Sequence, residues 1–239
     1  MAGQTFIMQR TVLIFAALAT VLLMVPAARQ GEPARPAGPL IVLDPGHGGT
    51  DSGVEGMAGS LEKNVVLRFA RALEQTLTPD YRVKLTRTSD YRISRRKRSS
   101  IANHEGAALF VSIHTGGFFN SGPEAWGLYH YPVKEQNSAS ASAASDTNTW
   151  QTVQEALAPA SKRLTETLSH YLKACPGISG TQTGAAPILV LEGLAMPGLV
   201  LETGYLTHPV CEEHLNDPDF LAEAAECMRQ GIDAFFRQQ

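Results

Sequence analysis

Three cysteines, none paired in a C-x-x-C spacing, leave this chain without a thiolate metal site or a disulfide framework. The odd count leaves at least one unpaired, and Cys175, Cys211 and Cys227 are all expected to be buried, inert thiols. Charge of one sign is lacking too: a net charge of -3 gives no general attraction to nucleic acid or anionic lipid. No G-x-x-x-x-G-K-[ST] is present, and "GHGGTDSG" has neither phosphate-loop nor dinucleotide spacing. Without a G-x-S-x-G elbow, a serine hydrolase of the α/β type would lack its nucleophile; H-E-x-x-H is missing as well.

Long apolar runs are confined to one place. "TVLIFAALATVLLMV" follows Arg10, the sole charge among residues 1–28, and is about fifteen residues long. That is short of the roughly 20 residues of a membrane span but matches a signal-peptide core. Residues 1–28 are therefore expected to be a signal peptide, cleavable after Ala27, or an N-terminal anchor. Residues 29–39, "RQGEPARPAGP", have the composition of a tether. Either outcome places the remainder outside the cytoplasmic membrane, in the periplasm or cell envelope.

The chain as a whole is 44% hydrophobic and 18% charged, the composition of an ordinary globular protein. Strand-like runs alternate with helical periodicity, predicting one α/β domain over residues 40–239. Its central sheet should be mainly parallel or mixed, with helices on both faces. "LIVLD", "YRVKLTR", "ALFVSIH", "WGLYHYPV", "ILVL" and "GLVLE" are the expected strands. A helix capped by Ser60 carries Val66, Phe69, Ala70, Leu73 and Leu77 on one face. Others run from Ser94 to Glu105, from near Pro159, and from Asp217 with Pro218 in the first turn. Residues 134–149 are Ser- and Ala-rich and predict a flexible surface insertion, which could be autoinhibitory or bind a partner.

Ligands of open α/β sheets bind beyond the carboxyl ends of the strands. His47 follows "LIVLD" across a Pro-Gly turn, His114 ends "ALFVSI", Glu202 ends "GLVL", and Glu62 opens the first helix. Two histidines and a carboxylate with one open position form a usual catalytic zinc set, and a further carboxylate supplies the base. The spacing suggests His47, Glu62 and His114 on a metal and Glu202 as base. A lone histidine at a strand end is more often structural, so spacing by itself leaves both readings open. Glycines on both sides of His47 would let a tight loop aim it at a ligand. The basic run "RISRRKR" reads as a solvated helix face, and the remaining histidines as surface or capping residues.

Five stretches occur in family order: "IVLDPGHGGTDSG", "SLEKNVVLRFARAL", "VKLTRTSD", "SIANHEGAALFVSIH" and "MPGLVLETGYLTHP". Together they resemble the amidase-3 type of zinc-dependent N-acetylmuramoyl-L-alanine amidases, bacterial cell-wall hydrolases. The resemblance covers Leu40 to the C-terminus apart from the insertion. It implies Zn2+, one per chain, on His47, Glu62 and His114, with Glu202 as catalytic acid/base. It also implies cleavage of the amide between N-acetylmuramic acid and L-alanine of the peptidoglycan stem. Asp44 and Asp51 are candidates to orient a ligand histidine by hydrogen bonding. Departures from the family pattern are "TGG" after His114, Glu192 where arginine is common, and His208 where asparagine is frequent. With no separate wall-binding module, recruitment would fall to the catalytic domain, the N-terminal segment or a protein activator. A non-catalytic wall-binding protein on the same fold and a zinc peptidase of other specificity are the alternatives.

Overall fold

The computed structural model describes residues 38–116, 125–132 and 150–238. The expected leader and most of the tether, like the 134–149 insertion, lie outside the described residues. Among the described residues no helix is long and apolar enough to cross a membrane.

The elements in chain order are β1 (Leu40–Pro45), α1 (Glu62–Leu77), β2 (Arg82–Leu85), α2 (Arg95–His104), β3 (Leu109–Gly116) and β4 (Ala125–His130). They continue with α3 (Trp150–Lys173), β5 (Gly180–Ala185), a 3-10 turn (Leu189–Leu191), β6 (Gly198–Tyr205), α4 (Pro209–Asn216) and α5 (Pro218–Arg237). One six-stranded sheet has the order β2-β1-β3-β6-β4-β5. β1, β2, β3 and β6 are parallel, whereas β4 runs antiparallel to β6 and carries β5 parallel to itself. The sheet is thus mixed, with a parallel half that brings four carboxyl ends to one edge.

The period of two along the strands divides the core. Ile41, Leu43, Val111, Ile113, Leu199 and Leu201 turn to one face, where α1, α3 and α5 bury Phe69, Leu168 and Ile232. Val42, Phe110 and Val200 turn to the other, against Ala102 of α2 and Val190, Leu191 and Met196 around the 3-10 turn. Each fully buried aliphatic or aromatic side chain contributes roughly 1.5–3 kcal/mol, so these two layers anchor the edge on which the site is built.

Several expectations are corrected. "ILVL" is no strand: Leu189–Leu191 form the 3-10 turn, since four apolar residues suit any buried segment. β5, "GTQTGA", has no apolar alternation to announce it; it pairs at the sheet edge through backbone alone. The third helix does not begin near Pro159 but contains it, running from Trp150. Its early turns are tied by the Gln154 amide, which donates to Leu191 O at 2.5 Å and accepts from Gly193 N at 3.1 Å. Ser60 does not cap α1; Leu61 occupies that position, and Ser60 N donates to Glu212 Oε1 at 3.0 Å. Asp217 caps α5 as expected, and Ser94, expected as the first residue of its helix, is the N-cap of α2.

The cysteines are corrected most clearly. Cys175 and Cys227 form a disulfide across 52 residues, between the end of α3 and α5; only Cys211 is a buried thiol. Packing of α3 on α5 brings the two together, which no C-x-x-C rule could reveal. Reduction is expected to lower stability by about 2–4 kcal/mol, because the crosslink restricts the unfolded chain. Urea unfolding with and without reductant measures this, and the Cys175→Ser variant should match the reduced protein.

Candidate active site

Strand register builds the first half of the site. In the parallel β3–β6 pair, His114 lies directly opposite Glu202. A register shift follows between His114 and Gly116, an irregularity of the kind that re-aims side chains beside active sites. The second half comes from the turn after β1. His47 takes a positive φ of 58°, unusual for a residue with a side chain, and Gly48 and Gly49 continue the turn. Gly46 is needed for space: a Cβ there would lie 2.3 Å from His114 Cε1. Gly53 is needed twice over, by its φ of 67° and because a Cβ would lie 2.4 Å from Glu62 Oε2.

These constraints bring His47, Glu62 and His114 together, with one possible ligand atom from each lying within 4.8 Å of the others. Glu62 Oε1 sits between the rings, 3.0 Å from His47 Nε2 and 3.1 Å from His114 Nδ1. Its carboxylate is fixed by Thr115 N, 3.1 Å from Oε1, and by Val54 N, 2.9 Å from Oε2. The rings meet edge to face with centroids 5.0 Å apart. Asp51 Oδ1 lies 2.8 Å from His47 Nδ1, leaving Nε2 to face the cluster.

The electrostatics favour a cation here. Burial alone would raise the Glu62 carboxyl, but the hydrogen bonds from His114 and His47 outweigh it and hold the pKa at about 2. Burial likewise opposes charge on His47, yet Glu62 and Asp51 together raise its pKa above the usual imidazole value. Glu202 behaves oppositely: burial and the nearby Glu62 charge raise its pKa, only partly offset by the histidines. Two carboxylates in one site are therefore pushed in opposite directions, the pattern that separates a ligand from an acid/base.

Asp51 fulfils the orienting role expected of it; Asp44 does not. Asp44 shares the strand face of Val42, where Ser112 Oγ reaches Oδ2 at 2.7 Å and Arg98 Nη1 reaches Oδ1 at 2.7 Å. The basic run is accordingly not one solvated face, because Arg98 is buried. Arg98 also donates to Pro45 O and His47 O, at 2.7 and 2.6 Å. Arg87, fully buried, donates to Pro45 O at 3.0 Å and Gly46 O at 2.7 Å. Lys63 reaches Gly49 O at 2.9 Å, and Asp51 N reaches Gly48 O. Every carbonyl from Pro45 to Gly49 thus has a donor, four of the five from a cationic side chain. Sequence reasoning missed Arg87, Arg98 and Lys63; their only signal was three cations within reach of a glycine-rich loop.

A buried carboxylate of raised pKa beside a His–Glu–His cluster that could hold a metal ion, at the carboxyl edge of an α/β sheet, is an arrangement suited to metal-assisted hydrolysis. The sequence profile described as N-acetylmuramoyl-L-alanine amidase matches residues 41–234. The amidase AmiA of Salmonella typhimurium is 32% identical over 224 residues, covering 82% of this chain and 76% of that protein. Among solved structures, the amidase AmiC2 of Nostoc punctiforme has a TM-score of 0.67 at 27% identity, covering 83% of this chain and 97% of that one. The catalytic domain of the amidase CwlV of Bacillus (Paenibacillus) polymyxa gives 0.68 at 25% identity, with 84% and 99% covered. The chain belongs to the N-acetylmuramoyl-L-alanine amidase family. It is a cell-wall hydrolase that cleaves the amide between N-acetylmuramic acid and L-alanine of the peptidoglycan stem peptide.

Proposed function

We propose that this amidase acts through one zinc ion held by His47, Glu62 and His114, with Glu202 as acid/base, in the cell envelope. The observation that carries the reading is the convergence of three ligand types within 4.8 Å, with Glu202 registered opposite His114. The donor set fits the ion: two imidazole nitrogens and a carboxylate are a catalytic zinc set, and Asp51 fixes the His47 ring as an outer partner should. When bound, zinc lowers the pKa of water towards about 7 and polarises a carbonyl.

Glu202 then has two tasks. Its carboxylate takes a proton from the attacking water as the C–O bond to the lactyl carbonyl forms. Its carboxyl next delivers that proton to the L-alanine nitrogen as the C–N bond breaks. One water is consumed, leaving a lactyl carboxylic acid and a free amine, which exchange the remaining proton to become carboxylate and ammonium. Burial supports both steps, since a raised pKa makes Glu202 a better base and keeps its proton available for the leaving group.

The test is mass spectrometry of peptides released from purified wall by the zinc-loaded protein. Stem peptides with a free N-terminal L-alanine are expected. Sugar-free stem peptides should be untouched; their cleavage would point instead to a peptidase.

Zinc affinity should depend on pH through His47. Zinc requires the neutral imidazole, and the raised pKa keeps metal-free His47 protonated to a higher pH than an ordinary histidine. Affinity should therefore fall by about tenfold per pH unit below the His47 pKa, for each proton displaced. Chelator competition between pH 5.5 and 8 measures the slope; a flat profile would remove His47 from the ligand set.

The disulfide supports export, since such bonds persist in oxidising compartments. On this reading residues 1–28 are the leader or anchor, 29–39 the tether and 40–239 the catalytic domain. Sequencing the N-terminus of the protein recovered from cells distinguishes cleavage from retention.

A further inference from the structure

We propose that Arg92, Arg95, Arg96 and Lys97 form a docking surface for the carboxylates of the peptidoglycan stem peptide, beside the His47 loop. The inference deepens the amidase reading and rests on it. All four side chains are exposed. Among the described residues, none of the four has a carboxylate within 4.0 Å. Arg98, next in sequence, is buried on Asp44 and belongs to the loop support instead. Asp90, the acid nearest in sequence, is committed to Lys63 Nζ and Gly49 N, each at 2.7 Å.

The cluster breaks a local rule. Arg95, Arg96 and Lys97 occupy the first turn of α2, which contains no acid, where the helix dipole disfavours positive charge. Local conflicts without a structural gain fall characteristically at functional sites.

Position gives the function. A Cβ on Gly48 would lie 2.3 Å from Tyr91 O, and one on Gly49 would lie 2.9 Å from Arg92 N. The segment leading to α2 is therefore packed against the turn that aims His47. The charge of Arg92 also reaches Asp51, the partner of His47 Nδ1. A substrate whose scissile amide lies at His47 must extend its peptide across neighbouring surface, and a stem peptide is rich in ionised carboxylates while its sugars are neutral. Guanidinium groups recognise carboxylates through paired, directional donors, so three arginines and a lysine suit that half of the substrate.

The test is cosedimentation of the full chain with purified sacculi stripped of phosphodiester polymers, either native or with their carboxyls converted to amides. It is made in a Glu202→Gln background so that the wall survives. Peptide release by that background would show a failure of the Glu202 assignment, separately from the binding result. The parent is expected to bind native sacculi about tenfold more tightly than amidated sacculi, the difference shrinking with salt. R92Q/R95Q/R96Q/K97Q should bind both alike and unfold at the same urea concentration as the parent, whereas R92K/R95K/R96K should retain most of the preference. Equal binding of the parent to native and amidated walls overturns the proposal whether or not the glutamine variant folds. So does a preference that appears only when phosphodiester polymers are left on the wall, which would identify those polymers as the ligand.

Discussion

Replacing Glu202 with glutamine is expected to lower kcat for stem-peptide release by about 10³-fold, within the range attributed to a positioned general acid/base. Glutamine matches the carboxylate in shape but can neither take the proton of water nor return one to the alanine nitrogen. The proposed ligand atoms of His47, Glu62 and His114 are untouched, so on that proposal bound zinc, measured by elemental analysis, should stay at that of the parent. KM should also change little, since the residue acts as bonds change rather than on the bound substrate. The Glu202→Ala variant should lose as much activity, without restoring metal binding that was never lost. A fully active variant of either kind would refute the assignment, and loss of zinc alongside activity would make Glu202 a ligand. The two proposed roles are separable because register places Glu202 opposite His114 while the proposed metal site centres on Glu62.

The site was more legible in the sequence than its supports were. In the sequence His47, His114 and Glu202 each follow an apolar run and Glu62 opens a helix, and a parallel sheet gathers such ends on one edge. In the structure β3 and β6 continue past His114 and Glu202 to Gly116 and Tyr205. The strands that carry His114 and Glu202, and the one that precedes His47, are largely apolar runs, the easiest pattern to read. The supports have no such pattern. Arg98 sits among four other cations, and only the helix turn that points it at Asp44 separates it from them. Asp44 itself follows an apolar strand just as a site residue would, yet strand alternation aims it at α2. Cys175 and Cys227 are joined by helix packing over 52 residues, information present only in the tertiary fold. β5 pairs through its backbone, so its polar side chains left no trace of a strand. What the sequence concealed is what depends on which way a side chain points.

That direction makes Arg98 the support whose loss should be felt most. Asp44 is completely buried, with Thr86 Oγ1 2.5 Å and Arg98 Nη1 2.7 Å from Oδ1, and Ser112 Oγ 2.7 Å from Oδ2. Arg98→Ala would leave that carboxylate without the one salt-bridge partner it has among the described residues, a change that destabilises by about 3–5 kcal/mol when a buried ion pair is broken from one side. It would also strip a donor from Pro45 O and from His47 O, loosening a turn whose His47 already holds a positive φ. Zinc affinity should therefore fall together with urea stability. Arg98→Lys separates the two effects: it restores charge beside Asp44, but a single ammonium cannot reproduce a fork that serves Asp44, Pro45 and His47 at once. Stability should recover more than zinc affinity does. The Asp44→Asn, Arg98→Ala double variant should be less destabilised than the sum of the single changes, because neither partner is then left charged and alone. Strict additivity would mean that the two residues act independently, and zinc affinity unchanged in Arg98→Ala would mean that the turn holds its shape without the guanidinium.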